Sequence, residues 1–225
     1  MKKEKFNTII CEGQMSIFDY LYPKDVKIHK PIRLIELFAG YGSQNLALKY
    51  IGADYESHKI CEWAVKSIQA YKDLHCADDN TDYSKDLTIE QVQEYLYQKG
   101  ISMDYNQPMT KEQIKRLGQK ARTIYNNIIS TKNLVNIQQV KGKDLEITEI
   151  DKYCYVMMYS YPCQDLSLAG KQLGMSEESG TRSSMLWQVK RILTELSRER
   201  ERLSASNSHY GKCTTSTLKE KQARF

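Results

Sequence analysis

The chain has 225 residues, 40% of them hydrophobic, which is the size and composition of one soluble α/β domain. Its formal net charge is +5, but residues 198–225 carry seven Lys and Arg against three Glu, which accounts for +4 of it. Because the rest of the chain is nearly neutral, net charge gives little support for a nucleic-acid partner.

Several classes of protein are excluded by the sequence pattern. No apolar run is long enough for a signal-peptide core or for a membrane span of ~18 residues. The six cysteines form no C-x-x-C pair and the four histidines are scattered, so neither a zinc site nor a disulfide framework is predicted. We therefore expect a cytoplasmic protein with reduced thiols, no metal and no membrane partner.

Three segments predict buried parallel strands, at residues 32–40, 55–63 and 153–162. Between the first two, residues 43–52 predict a short helix that stops at Gly52. This order of strand, glycine loop, helix and strand is typical of a doubly wound α/β sheet.

Residues 64–143 are polar and mainly helical, and they are longer than an ordinary crossover connection. Residues 88–100 predict a helix with a threonine start and a glycine stop, and residues 110–129 predict a second helix capped by Thr110. We interpret the segment as an insertion on the rim of the sheet, with structural padding as the favoured role.

A further helix is predicted after residue 182, with its apolar face on the sheet. Its apolar residues at helical spacing are Met185, Leu186, Val189, Ile192, Leu193 and Leu196.

Two features after the predicted strands favour a nucleoside cofactor. Gly40 and Gly42 directly follow the first strand, where small residues let the backbone approach a ligand. Glu62 ends the second strand, and an acid at this interval can accept hydrogen bonds from both ribose hydroxyls. A glycine loop alone is weak support, since such turns are common.

The third strand leads into Pro162, Cys163 and Gln164 at the edge where ligands bind in open parallel sheets. A thiol there can act as a nucleophile if its pKa is lowered. Taken alone, however, Cys163 is better explained as a buried structural cysteine.

Together these motifs resemble, in order, those of DNA cytosine-carbon-5 methyltransferases, over residues 33–191. The matching stretches are FAGYG (residues 38–42), Glu62, PCQ (162–164), Ser167-x-Ala169-Gly170 and GTRSSMLW (180–187). The resemblance implies a Rossmann-like sheet that uses S-adenosylmethionine, and double-stranded DNA from which a cytosine is flipped.

The resemblance also implies roles for individual residues. Cys163 would attack carbon 6 of cytosine. The implied cofactor-binding residues are Phe38, Gly40, Gly42, Glu62 for the ribose, Trp63 beside the adenine, and Asp144 with Leu145 toward the adenine amine. The implied supports of the catalytic loop are Pro162, Gln164, Ser167 and Arg182.

The family's acid, the Glu of a Glu-Asn-Val motif, does not occur in the 225 residues. A reading frame shifted by one base over residues 209–216 permits I-M-E-N-V-P-Q. We therefore expect a one-base frameshift near Leu203, an incomplete sheet and a chain that alone is inactive. The gene's nucleotide sequence tests this, because a shifted frame without further family motifs rules it out.

The expected organisation is an N-terminal arm at residues 1–30, a partial catalytic domain at 31–202 with the insertion at 64–143, and an out-of-frame, disordered tail at 203–225. The alternatives are an RNA cytosine methyltransferase and a catalytically dead fragment that binds cofactor. Within the arm, residues 14–18 (QMSIF) resemble peptides that bind the bacterial replication clamp through a glutamine and an aromatic residue, here Gln14 and Phe18.

Overall fold

The computed structural model describes residues 28–160 and 185–207. Several predicted features lie outside the described residues. They are residues 14–18, which resemble clamp-binding peptides, residues 208–225, and the predicted catalytic-loop residues Pro162, Cys163, Gln164, Ser167 and Arg182. No helix within the described residues is both long and apolar enough to cross a membrane.

A three-stranded parallel sheet forms the centre of the fold, in the order β2–β1–β3. The strands are β1 at Ile32–Leu37, β2 at Tyr55–Cys61 and β3 at Cys154–Tyr159, which confirms the three predicted strands. Leu34 and Ile35 of β1 are both 0% exposed although they point to opposite faces. A central strand covered on both faces explains the continuous apolar run in its sequence.

The connection between β1 and β2 contains helix α1 at Ser43–Tyr50. Gly42 is its N-cap in the left-handed conformation, with no side chain to cap the helix. The helix ends at Ile51, and Gly52 follows with φ +68°, as the glycine stop predicts. The strand order reverses after β2, because β3 lies on the other side of β1.

Four helices follow β2. They are α2 at Val65–His75, α3 at Ile89–Lys99, α4 at Lys111–Lys115 and α5 at Lys120–Ser130. Thr88 and Thr110 both form capping boxes with the residue three positions on, which confirms the two predicted helix starts. The prediction of one helix over residues 110–129 was wrong. Gly118 takes φ +52° between α4 and α5, a conformation that glycine adopts without strain, and so the helix breaks there.

This helical segment is joined to the sheet as well as packed on itself. Its own core includes Ile68, Val92, Leu96 and Ile128. After α5, Asn133 forms a parallel bridge with Ile60 of β2, and the Leu134 amide donates to the Ile60 carbonyl at 2.8 Å. The segment therefore hydrogen-bonds to part of the free edge of β2.

A 3₁₀ turn at Gly142–Leu145 precedes β3, and helix α6 at Leu186–Asn207 follows it. Val189 and Ile192 of α6 pack into a core with Ile35 and Leu37 of β1, as the predicted apolar face requires. Leu193 was wrongly assigned to that face. It is 43% exposed, since it is one residue and about 100° of helix past Ile192.

Candidate functional site

The glycine loop turns sharply at the carboxyl end of β1. Phe38 and Gly40 both have φ +57°, and Gly42 has φ +81°. The Ala39 amide donates to the Cys61 carbonyl at 3.1 Å, and the Gly42 amide donates to the Ala39 carbonyl at 2.9 Å. These bonds hold the loop across the ends of β1 and β2, the edge at which parallel sheets bind ligands.

Glu62 connects the two strand ends directly. Its Oε2 accepts a hydrogen bond from the Gly40 amide at 2.9 Å, and its Oε1 accepts one from the Ala64 amide at 2.8 Å. The side chain is largely buried, and burial raises the pKa of its carboxyl against the lowering effect of these amides. The two oxygens have about four acceptor positions in all, and the Gly40, Ala64 and Trp63 amides use three of them, so the carboxylate keeps capacity for a ligand hydroxyl.

Asn133 holds the backbone of Glu62 from the end of the helical segment. Its Oδ1 accepts from the Glu62 amide at 3.0 Å, and its Nδ2 donates to the Glu62 carbonyl at 2.9 Å. Asn133 is 71 positions further along the chain and has no helix or strand periodicity around it, so this contact could not be predicted from the sequence. The helical segment thus fixes the acid at the end of β2.

Space for a ligand exists on one side of the loop and not on the other. A Cβ atom placed on Gly40 would meet nothing within 4 Å, whereas one on Gly42 would lie 2.7 Å from Cε2 of Tyr71 and would also clash with His75. The loop therefore rests on side chains at Gly42 and is open at Gly40, beside the Glu62 carboxylate. Open space over the Gly40 backbone, next to a carboxylate that can accept from ribose hydroxyls, fits a nucleoside cofactor.

Gly42→Ala is expected to lower the free energy of unfolding by about 3 kcal/mol, because it combines a left-handed φ with overlap of two rings. Gly118→Ala is the matched control, since Gly118 also has positive φ but its Cβ would meet nothing within 4 Å. That control should lose only about 1 kcal/mol. Chemical denaturation of both variants measures the difference, and equal losses would contradict the packing of Gly42.

Trp63 follows Glu62 and is half-buried, with its side chain against the core of the helical segment. Its backbone carbonyl accepts from the Ser102 amide at 2.8 Å. The residue is therefore adjacent to the site and tied to the helices at the same time.

The Leu145 side chain belongs to the core that includes Leu37 and Cys61 at the ends of β1 and β2, whereas no described contact joins Asp144 to Glu62. The Asp144 carboxylate accepts from the Lys141 amide at 2.8 Å and so caps its own 3₁₀ turn. The Leu145 carbonyl accepts from Nε2 of His58 at 3.0 Å, four residues before Glu62 on β2, which is about 13 Å of extended chain.

Burial is the main influence on the pKa of two thiols in the described residues, Cys61 and Cys76. Cys61 is buried and donates to the Val135 carbonyl at 3.2 Å, and burial raises its pKa. Burial also raises the pKa of Cys76. Over residues 28–160 and 185–207, no three His, Cys, Asp or Glu side chains are grouped so that they could hold a metal ion.

Known proteins are similar in sequence to parts of this chain. The profile of the family described as C-5 cytosine-specific DNA methylase matches residues 106–198. The orphan methyltransferase M.SssI of Spiroplasma monobiae is 34% identical over 169 residues, which cover 73% of this chain and 42% of that protein. The type II methyltransferase M2.ScrFI of Lactococcus lactis subsp. cremoris is 34% identical over 164 residues, covering 72% and 43%.

The chain carries a C-5 cytosine-specific DNA methylase domain over residues 106–198, and both curated relatives are methyltransferases by name. It spans less than half the length of these two curated relatives. Within the family match, residues 106–198 include α4, α5, the Asn133 contact, β3 and the first part of α6. The glycine loop and Glu62 precede the match.

Proposed function

We propose that the protein transfers a methyl group from S-adenosylmethionine to carbon 5 of cytosine in double-stranded DNA, within a restriction-modification or phage modification system. The observation that carries the proposal is the hydrogen bond between the Gly40 amide and the Glu62 carboxylate at the carboxyl ends of β1 and β2. It joins the glycine loop to the acid that follows β2, and this contact supports a nucleoside-binding site at these strand ends.

The described residues fit this cofactor. Glu62 has spare acceptor capacity for ribose hydroxyls, and Gly40 offers an open backbone surface beside it. Phe38 and Gly42 shape the loop through their left-handed backbone, and Trp63 follows Glu62 in the chain. Asp144 is the weakest member of the proposed set, because its carboxylate already caps the 3₁₀ turn. The β2–β1–β3 order supports a Rossmann-like sheet with the site at its switch point.

S-adenosylmethionine would supply the methyl group when bound. The thiolate of Cys163 would add to carbon 6 of a flipped cytosine, which makes carbon 5 nucleophilic. Loss of the carbon-5 proton and departure of the thiolate would then restore the aromatic ring. Pro162, Gln164, Ser167 and Arg182 would hold the loop around that cysteine.

Addition to carbon 6 is assisted by an acid at ring nitrogen 3, and the 225 residues contain no Glu-Asn-Val motif to supply it. General acid catalysis contributes on the order of 10²- to 10⁴-fold. We therefore propose that this chain alone binds the cofactor but turns over little or not at all.

A second candidate function for these 225 residues on their own is cofactor binding without catalysis, which the contact between Gly40 and Glu62 supports by itself. Titration calorimetry with S-adenosylmethionine tests the binding that both functions require. Covalent capture of a DNA duplex containing 5-fluorocytosine separates them, since only a chain with a working nucleophile forms the adduct. Capture of an RNA duplex instead would assign the substrate to RNA.

A further inference from the structure

Tyr71 of α2 is fully buried, and its phenol contacts residues of β1, β2 and α1. Its hydroxyl donates to Oε2 of Glu36 on β1 at 2.6 Å. It lies 3.0 Å from Oγ of Ser57 on β2, and it accepts from Nδ2 of Asn45 on α1 at 3.0 Å. Because a phenol has one proton and the shortest contact is with Glu36, Ser57 must be the donor, and the oxygen is then saturated.

Glu36, which accepts the Tyr71 hydrogen bond, lies near the end of β1. It is 1% exposed, its Oε1 accepts from the Asn45 amide at 3.3 Å, and burial raises its pKa. Asn45 lies in the first turn of α1, whose N-cap Gly42 has no side chain. A carboxylate at this point satisfies an otherwise unpaired helix amide and interacts favourably with the helix dipole. Tyr71 holds that carboxylate in place.

The same helix supports the glycine loop from below. The rings of Tyr71 and His75 have centroids 4.5 Å apart and together fill the space under Gly42. Nε2 of His75 lies 2.9 Å from the Tyr41 carbonyl. A carbonyl only accepts, so Nε2 carries the proton in this contact. The loop therefore has one support through Glu36 and α1 and another through Tyr41.

We propose that Tyr71 and His75 are positioning residues that hold the glycine loop in the shape that receives the cofactor. This inference rests on the proposed function, in which Gly40 and Gly42 line the S-adenosylmethionine site. Both side chains contact the loop or its supports, and no described contact joins either of them to Glu62. Their contribution would be to preorganise the loop before the cofactor arrives.

Tyr71→Phe tests the hydroxyl while it retains the ring beneath Gly42. The buried Glu36 carboxylate loses a donor, so amide hydrogen exchange at residues 40–46 of the cofactor-free chain should become about tenfold faster. The dissociation constant for S-adenosylmethionine, measured by calorimetry, should rise by about tenfold. Tyr95→Phe is the control. Tyr95 packs against Tyr125 in the core of the helical segment, and both readouts should stay at wild-type values.

His75→Leu and His75→Gln form a second pair at a half-buried site that tolerates change better. Leucine removes the donor to the Tyr41 carbonyl, while glutamine retains an N–H of similar reach, so glutamine should restore slow exchange and leucine should not.

Unchanged exchange in both Tyr71→Phe and His75→Leu would overturn the inference. Unchanged affinity despite faster exchange would also overturn it. If wild type binds no S-adenosylmethionine while exchange responds as expected, the proposed function fails and the support of the loop stands.

Discussion

Glu62→Gln is expected to weaken S-adenosylmethionine binding by about 10- to 100-fold. Glutamine replaces one carboxylate oxygen with an NH₂ group, which cannot accept a hydrogen bond. Whichever of the Gly40 and Ala64 amides lies against that NH₂ group therefore loses its acceptor. One backbone donor is then left unpaired in a largely buried site, and the ribose loses an acceptor. Titration calorimetry of the full chain measures the loss.

The matched control is Glu56→Gln, at the opposite end of the same strand. Glu56 is an exposed partner of Arg33, which also pairs with Glu149, so its replacement should leave cofactor affinity unchanged. Equal affinity in wild type and Glu62→Gln would contradict the assigned role of Glu62.

The pH dependence of binding gives the same carboxyl a second readout. Binding needs the ionised form as acceptor, and burial raises the pKa of Glu62. Affinity should therefore decline, as pH falls, at a higher pH than for an ordinary glutamate.

Cys163→Ser is expected to abolish covalent capture of a 5-fluorocytosine duplex, because a serine hydroxyl is not ionised at neutral pH and is a far weaker nucleophile than a thiolate. Without the Glu-Asn-Val acid, capture by the wild-type chain should be slower by on the order of 10²- to 10⁴-fold than in a family member that carries it. A long incubation with S-adenosylmethionine, followed by denaturing electrophoresis, measures the adduct.

Cys76→Ser is the control for the thiol. Cys76 lies at the end of α2, is partly buried, and has a pKa raised by burial, so its replacement should leave capture unchanged. An adduct that persists in Cys163→Ser would contradict the nucleophile assignment.

Local signals in the sequence predicted much of the fold. Thr88 and Thr110 mark helix starts because their side chains cap amides only three residues away. The three strands were predictable because burial on both faces requires continuous apolar runs. The break at Gly118 was missed, since an isolated glycine is tolerated in many helices and only the packing of α4 and α5 decides its conformation.

The candidate site was predicted in part for a similar reason. Gly40 and Glu62 follow strands whose carboxyl ends must meet in a parallel sheet, so their proximity follows from topology. Asn133, Tyr71 and Glu36 support the site through contacts across many intervening residues, and such contacts depend on how the helical segment folds back. Polar residues with no periodicity carry no sequence signal of that kind.

Calorimetric titration of the full chain with S-adenosylmethionine tests the central claim most directly, which is that the carboxyl ends of β1 and β2 form a cofactor site. The account predicts one site per chain, weakened in Glu62→Gln and unchanged in Glu56→Gln. A chain that is folded by circular dichroism and yet gives no binding, or that binds with equal affinity in both variants, would contradict it.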